Sequence, residues 1–143
     1  MIGQGAAGSF SFCLAYAYIL KRKNMIRAYK LYNDEEGHSR VAVGTVTDRT
    51  LTDAKAIQFK VTPPGTFYDW HPAPTLQYVL TLEGTLEFTT STGETFTLTA
   101  GDVLIAADTA GKGHKWQMIG EYPWKRAYVL VNTEDDLNFV PNE

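Results

Sequence analysis

Short runs of alternating apolar and polar residues fill the chain from residue 25 onward. The runs are rich in Val, Thr, Tyr, Phe and Leu, and turn residues separate them at short, fairly even spacing. This pattern is typical of β-strands, and helical periodicity is almost absent. It predicts strands over residues 27–32, 40–46, 56–62, 67–73, 76–82, 85–90, 95–98, 103–107, 115–119 and 126–131.

So many short strands in one small domain predict an all-β architecture. Only sheets packed face to face, or a sheet closed on itself, can bury the apolar faces of about ten strands. The length of 143 residues is that of one domain. We therefore expect one sandwich or barrel over residues 25–143, with the acidic tail after Asn132 as a cap or edge piece.

The first 24 residues differ from the rest of the chain. An apolar run over residues 6–20 is followed by the basic residues 21–23. The run is shorter than the roughly 20 residues that span a bilayer, and it lacks the basic start and cleavage site of a secretory signal. We interpret residues 1–24 as an N-terminal extension, either an extra strand or helix or the product of a start upstream of Met25. A weak membrane anchor is the remaining alternative.

Charge and cysteine content limit the partners that we expect. The net charge is −3, without a basic block, which argues against nucleic acid or an anionic membrane as the main partner. Cys13 is the single cysteine, so the chain has no internal disulfide and no thiolate metal cluster. A cytoplasmic protein that binds a small molecule is the expectation.

Two stretches have a more specific spacing of glycine, histidine and glutamine. In GTFYDWHPAPTLQYVLTLEG (residues 65–84), five residues separate the first glycine from His71, and six separate Gln77 from the last glycine. The stretch GDVLIAADTAGKGH (residues 101–114) opens with glycine and closes on His114. These stretches resemble the two motifs of the cupin superfamily, and more narrowly a group of small single-domain cupins with His-x-Ala-Pro and Gly-Lys-Gly-His segments. The resemblance implies a cupin jelly-roll fold.

The chain departs from the cupin motifs at several metal-binding positions. Ala73 replaces the second histidine of the first motif, and Gln77 replaces its glutamate. In the second motif Ala107 stands where proline is usual, and His114 lies two residues later than the standard spacing. Of the superfamily's usual metal ligands, only His71 and His114 carry over.

Alternation along each strand predicts which side chains share a face with these candidate residues. The predicted pocket residues are Asp69, Gln77, Val79, Thr81, Trp116 and Met118, beside His71 and His114. Such an interior is polar near one end and apolar deeper in, which suits a small ligand held between aromatic walls.

Metal binding by this set is one of two alternatives. A divalent ion such as Fe, Mn, Ni or Zn is usually held by imidazole nitrogens and at least one anionic oxygen. His71 and His114 would supply the nitrogens, whereas Gln77 offers only a neutral oxygen. Asp69 is the favoured replacement carboxylate because alternation places it on the face of His71, and Asp108 is the other candidate. In the second alternative these residues form a metal-free hydrogen-bond network.

Three functions follow from these alternatives. The first is a small-molecule-binding cupin that acts as a lyase, isomerase or oxygenase, with His71 or His114 as acid, base or metal ligand. The second is a non-enzymatic binding or sensing module, and the third is a structural dimer with a vestigial metal site. A homodimer is favoured because both faces of the strand at residues 76–82 are largely apolar, so a second subunit or the N-terminal extension should cover the outer face.

Overall fold

The structure, a computed structural model, describes residues 13–16, 24–135 and 137–143. Within these ranges, ten strands lie close to the predicted positions and an eleventh lies in the acidic tail. In chain order they are β1 (Ile26–Asn33), β2 (Ser39–Val46), β3 (Ala56–Thr62), β4 (Phe67–His71), β5 (Gln77–Glu83), β6 (Thr85–Thr90), β7 (Thr95–Leu98), β8 (Val103–Ala106), β9 (His114–Ile119), β10 (Trp124–Leu130) and β11 (Phe139–Pro141). The predicted N-terminal extension lies mostly outside the described residues.

The strands from β3 to β10 pair in a nested antiparallel order. β3 pairs with β10, β4 with β9, β5 with β8, and β6 with β7. A chain paired in this way is one long hairpin rolled up into two sheets, which is the jelly roll. The sheet orders are β11-β2-β1-β8-β5-β10-β3 and β4-β9-β6-β7. The predicted all-β jelly-roll fold is therefore confirmed.

The main core lies between the two sheets. Its buried residues are Tyr29, Leu31, Val79, Leu86, Phe88, Phe96, Leu98, Leu104, Trp116 and Trp124. Aromatic rings form much of it; the ring centroids of Phe88 and Phe96, for example, are 5.0 Å apart in a stacked arrangement. Burying each large side chain of this kind contributes about 1.5–3 kcal/mol, so the core holds the sheets in a fixed relation around the site.

The outer face of β5 is covered in part by the C-terminal residues of the chain itself. Val131 and Leu137 are buried in one cluster with Tyr78. The Tyr78 hydroxyl also donates a hydrogen bond to the Leu137 carbonyl at 2.6 Å. β11 then pairs with β2 and forms an edge of the larger sheet, as expected for the tail. The sequence predicts cover by the N-terminal extension or a second subunit and misses this C-terminal cover, because the described residues 131–135 and 137 form no regular element that a periodic pattern would reveal.

Apolar side chains remain exposed on the outer face of the larger sheet, toward the edge formed by β3. Ile57, Phe59 and Val61 of β3 are 59%, 70% and 64% exposed, and Leu82 of β5 is 61% exposed. The predicted homodimer stays a prediction, and this face is the natural place to test it. No helix within the described ranges is long and apolar enough to cross a membrane.

Candidate functional site

A cavity of about 480 Å³ lies between the two sheets. Pockets of this size hold small organic ligands. From β4, β6 and β9 it is lined by Tyr68, His71, Phe88, His114 and Trp116. From β3, β5 and β10 it is lined by Gln58, Lys60, Gln77, Val79, Trp124, Arg126 and Tyr128. The described lining includes basic and neutral polar groups but no aspartate or glutamate.

The two histidines of the cupin-like motifs meet at this cavity. His71 ends β4, His114 begins β9, and the two residues are direct partners in the β4–β9 ladder. Their ring centroids are 4.5 Å apart. The structure thus brings two sequence-predicted site residues from separate motifs into contact.

The loop before β9 accommodates the two additional residues that precede His114 relative to the usual motif spacing. Gly113 has a φ of +80°, and a Cβ added to it would lie 2.0 Å from the His71 carbonyl oxygen. Only glycine permits this close approach of the loop to the end of β4. The departure from the usual spacing therefore lengthens the loop without displacing His114 from its partner.

His114 is held by a buried carboxylate behind it. The Asp108 Oδ2 atom lies 2.6 Å from His114 Nδ1 and also accepts a hydrogen bond from the Ser39 hydroxyl at 2.8 Å. Asp108 is 0% exposed and His114 is 5% exposed. Because an ionised carboxylate can only accept, the Nδ1 of a neutral His114 carries the proton, and Nε2 is left with its lone pair for the cavity.

His71 has the same tautomer for a different reason. Its Nδ1 donates a hydrogen bond to the Asp69 carbonyl oxygen at 2.6 Å, and a carbonyl cannot donate in return. Burial lowers the pKa of His71 from its usual value, and the nearby His114 lowers it further. At neutral pH His71 is therefore uncharged, with Nε2 as an acceptor.

The predicted position of Asp69 is wrong. Two residues of β4, Asp69 and Trp70, lie between paired positions that enclose a single residue of β9, Lys115. This bulge shifts the alternation by one residue, so that Tyr68 and His71 both reach the cavity. Asp69 is exposed in a depression on the other side of the sheet, and its carboxylate accepts the Trp70 N–H at 2.9 Å.

The remaining predicted pocket residues divide into two groups. Gln77, Val79 and Trp116 line the cavity, but Thr81 and Met118 do not. The Thr81 hydroxyl accepts a hydrogen bond from Trp124 Nε1 at 3.2 Å, and Met118 packs against the core. Strand alternation predicts both at the cavity because it identifies a face but not a depth.

Several cavity residues are not among those that the sequence predicts. Gln58 and Lys60 face the cavity, while the apolar residues that alternate with them on β3 face outward. Arg126 and Tyr128 line it from β10. Strand alternation did contain the signal, since Gln58 with Lys60 and Arg126 with Tyr128 are same-face pairs. The rule that the apolar face of a strand points inward predicts the wrong orientation for β3.

The described residues do not fit the usual cupin metal site. No group of three or more His, Cys, Asp or Glu side chains that could hold a metal ion occurs among them. Asp69 faces away from His71, and Asp108 is fully buried behind His114 and is not part of the described cavity lining. Two imidazoles and the neutral amide of Gln77 are a weak donor set for a divalent ion. We therefore assign no chemical step to a metal.

Known proteins with a similar structure are distant. An uncharacterized conserved protein with a double-stranded β-helix domain from Klebsiella pneumoniae has 22% sequence identity and a TM-score of 0.44, over 71% of this chain and 84% of that chain. The capsular polysaccharide assembling protein CapF from Staphylococcus aureus has 13% identity and a TM-score of 0.39, over 80% of this chain and 34% of that chain. This chain thus spans about a third of CapF.

No protein-family model and no curated protein sequence matches the chain. The strand pairing itself defines the fold, an all-β jelly roll of the cupin type. Membership of the cupin superfamily stays a prediction from the two motifs.

Proposed function

We propose that the protein binds a small organic molecule between its two sheets and transfers a proton to or from it, as isomerases and lyases do. One observation carries this proposal. A histidine at the cavity wall, His114, is backed by a buried carboxylate at 2.6 Å and lies beside a second, uncharged histidine.

The contacts of His114 suit a general base. The Asp108 carboxylate fixes the ring orientation and leaves the Nε2 lone pair for a proton of the ligand. When Nε2 accepts that proton, the positive charge of the ring lies next to the carboxylate. The proton is then returned to a different atom of the ligand in an isomerisation, or to the leaving group in an elimination.

His71 assists this step by remaining neutral. Two cationic imidazoles with centroids 4.5 Å apart would repel each other. Because burial lowers the pKa of His71, this ring stays uncharged while His114 is protonated. It can then accept a hydrogen bond from a hydroxyl group of the bound molecule.

Binding without chemistry is the second candidate function. Aromatic rings from both sheets, those of Tyr68, Trp116 and Trp124, line the cavity. Their faces would hold a planar ligand by stacking, whether or not a proton moves. A non-enzymatic binding or sensing protein would use the same walls.

A two-stage experiment tests the proposal. Protein NMR first screens small acids, sugars and aromatic compounds, and each compound that binds is then incubated with the protein in D2O to follow deuterium uptake at its carbon atoms. We expect uptake that the His114→Gln variant abolishes. His38→Gln is the matched control, because His38 is half exposed and its partners among the described residues are Asp34 and Glu36. Binding without any uptake would favour the second candidate, and absence of binding would contradict both.

A further inference from the structure

Arg126 is a buried cation at the cavity. The residue is 2% exposed. Its guanidinium carbon lies 3.7 Å from the centroid of the Trp124 ring and 5.4 Å from that of Tyr128. Nε donates to the Tyr128 hydroxyl at 3.0 Å, and Nη1 donates to the Thr62 hydroxyl at 2.6 Å and the Trp124 carbonyl at 3.1 Å. Stacking and hydrogen bonds therefore hold the guanidinium rigidly.

No described carboxylate pairs with this guanidinium. The other described arginines each have an acidic partner: Arg27 pairs with Asp102, Arg40 with Asp34, and Arg49 with Asp48. The contacts of Arg126 are all neutral oxygens and aromatic rings. Burying a charge without an ionic partner is costly, and such charges are normally paired. Burial accordingly lowers the pKa of Arg126.

A second cation lies directly beside Arg126. Lys60 of β3 is its ladder partner, and both side chains line the cavity. Like charges that face each other across a strand pair destabilise the sheet. An anion bound between them would remove this repulsion.

The donors that remain are suited to a carboxylate. Among the described residues nothing accepts a hydrogen bond from Nη2 of Arg126, so this amino group and the Lys60 ammonium are two donors at one wall of the cavity. A planar carboxylate has two oxygens, one for each donor. The flat rings of Trp116 and Trp124 at the cavity favour a planar group attached to it.

We infer that Arg126 and Lys60 form a carboxylate subsite and that the ligand is a small organic acid, held by its anionic end and presented to the histidine pair. This inference rests on the proposed function, because it assumes that the ligand occupies this cavity. It assigns a role to polar residues that the cupin-like motifs do not contain.

Benzoate and benzamide, which have nearly the same shape and differ in charge, test the inference. Binding to the full chain is followed by tryptophan fluorescence and by protein NMR at constant ionic strength. We expect benzoate to bind about 10-fold to 100-fold more tightly than benzamide, because hydrogen bonds to charged groups have this strength. Arg126→Gln should remove the preference.

Two further variants keep the test decisive if Arg126→Gln fails to fold. Lys60→Gln changes an exposed residue and should weaken benzoate binding several-fold without affecting benzamide. Lys125→Gln is the matched control, since Lys125 is the chain neighbour of Arg126 but pairs with Glu83 at 2.8 Å; it should leave both affinities unchanged.

The outcomes separate the inference from the proposed function. Equal binding of benzoate and benzamide at the cavity, or a benzoate affinity that is unchanged in Lys60→Gln, would overturn the carboxylate subsite and leave a ligand-binding cavity. Tighter binding of phenyl phosphate than of benzoate would show that a different anion is recognised and would also overturn it. Absence of cavity binding by all three compounds would contradict both the subsite and the proposed function.

Discussion

Replacing Gly113 with alanine should separate the two histidines. Gly113 lies immediately before His114, and its added Cβ would be 2.0 Å from the His71 carbonyl oxygen and 2.4 Å from the Pro72 nitrogen. Ordinary contacts of a Cβ begin at 3.4 Å, so the loop or the end of β4 would have to move by about 1.4 Å. The obstructing atoms belong to the backbone and cannot rotate away.

The expected loss of stability has two parts. An L-residue in the left-handed region costs roughly 1–2 kcal/mol, and forcing extra volume against packed backbone costs a further 1–3 kcal/mol or so. Gly93→Ala isolates the first part, because Gly93 has a φ of +87° and no atom within 4 Å of an added Cβ. The difference between the two variants, about 1–3 kcal/mol, then measures the close approach itself.

Thermal and denaturant unfolding, followed by circular dichroism, provide the assay. Gly113→Ala should melt at least roughly 3 °C below Gly93→Ala, given the usual relation between free energy and Tm for a domain of this size. The NMR signals of His71 and His114 should shift in Gly113→Ala and remain unchanged in Gly93→Ala. Equal stability of the two variants, with unchanged histidine signals, would refute the described contact between the loop and β4.

Four other predictions concern the histidines, metal content and assembly. By NMR, His71 should titrate below its usual pKa of 6.5. As the pH falls, the unfolded chain then takes up the proton before the folded chain does, so the free energy of unfolding is fully retained above pH 6.5 and falls as the pH drops through the folded pKa. His71→Gln should weaken this trend, and the trend would be absent if the pKa of His71 were not lowered. Asp108→Ala should remove the acceptor that keeps the His114 proton on Nδ1, so that ¹⁵N spectra show protonation at Nε2 as well, whereas the control Asp69→Ala should leave the tautomer unchanged; a His114 ring that stays wholly Nδ1-protonated in Asp108→Ala would contradict the hydrogen bond. Protein purified without a histidine tag and treated with chelator should retain no stoichiometric Fe, Mn, Ni or Zn by element analysis, and stoichiometric retention would contradict the donor-set argument. Sedimentation should show a dimer that Phe59→Lys converts to monomer, since Phe59 is 70% exposed; a monomeric native protein would refute the predicted homodimer.

The fold was predictable because its signals are local and numerous. Each strand has its own alternating pattern, and turns with glycine or proline separate the strands, so the positions of ten strands follow from the sequence. The spacing in residues 65–84 and 101–114 indicated the jelly-roll order of those strands. β11 is short and lies in an acidic tail, where no periodic pattern can develop.

The site was predictable only where strand alternation is regular. Gln77 and Val79 on β5 and Trp116 on β9 reach the cavity as expected. On β4 the bulge at Asp69 and Trp70 shifts the alternation, so residues before it lie on the face opposite to the predicted one. The local residue types do not indicate this bulge. A single extra residue is enough to send a carboxylate to the opposite side of a sheet.

The basic wall of the cavity was not predictable from hydrophobic pattern. On β3 the apolar side chains of Ile57, Phe59 and Val61 face outward, while Gln58 and Lys60 face the cavity. A sequence pattern assigns the apolar face to the interior, because burial of apolar area is the usual driving force. Sites that bind polar ligands break this rule, and only the three-dimensional pairing of Lys60 with Arg126 reveals the cationic pair.

A crystal structure with the compound that binds best in the NMR screen would show directly whether the ligand lies between the two sheets. We expect density for that compound in the cavity of about 480 Å³, with a ligand atom within hydrogen-bond distance of His114 Nε2 and an anionic group between Arg126 and Lys60. Density for the compound only on the outer face of either sheet, with the cavity filled by side chains, would contradict this expectation.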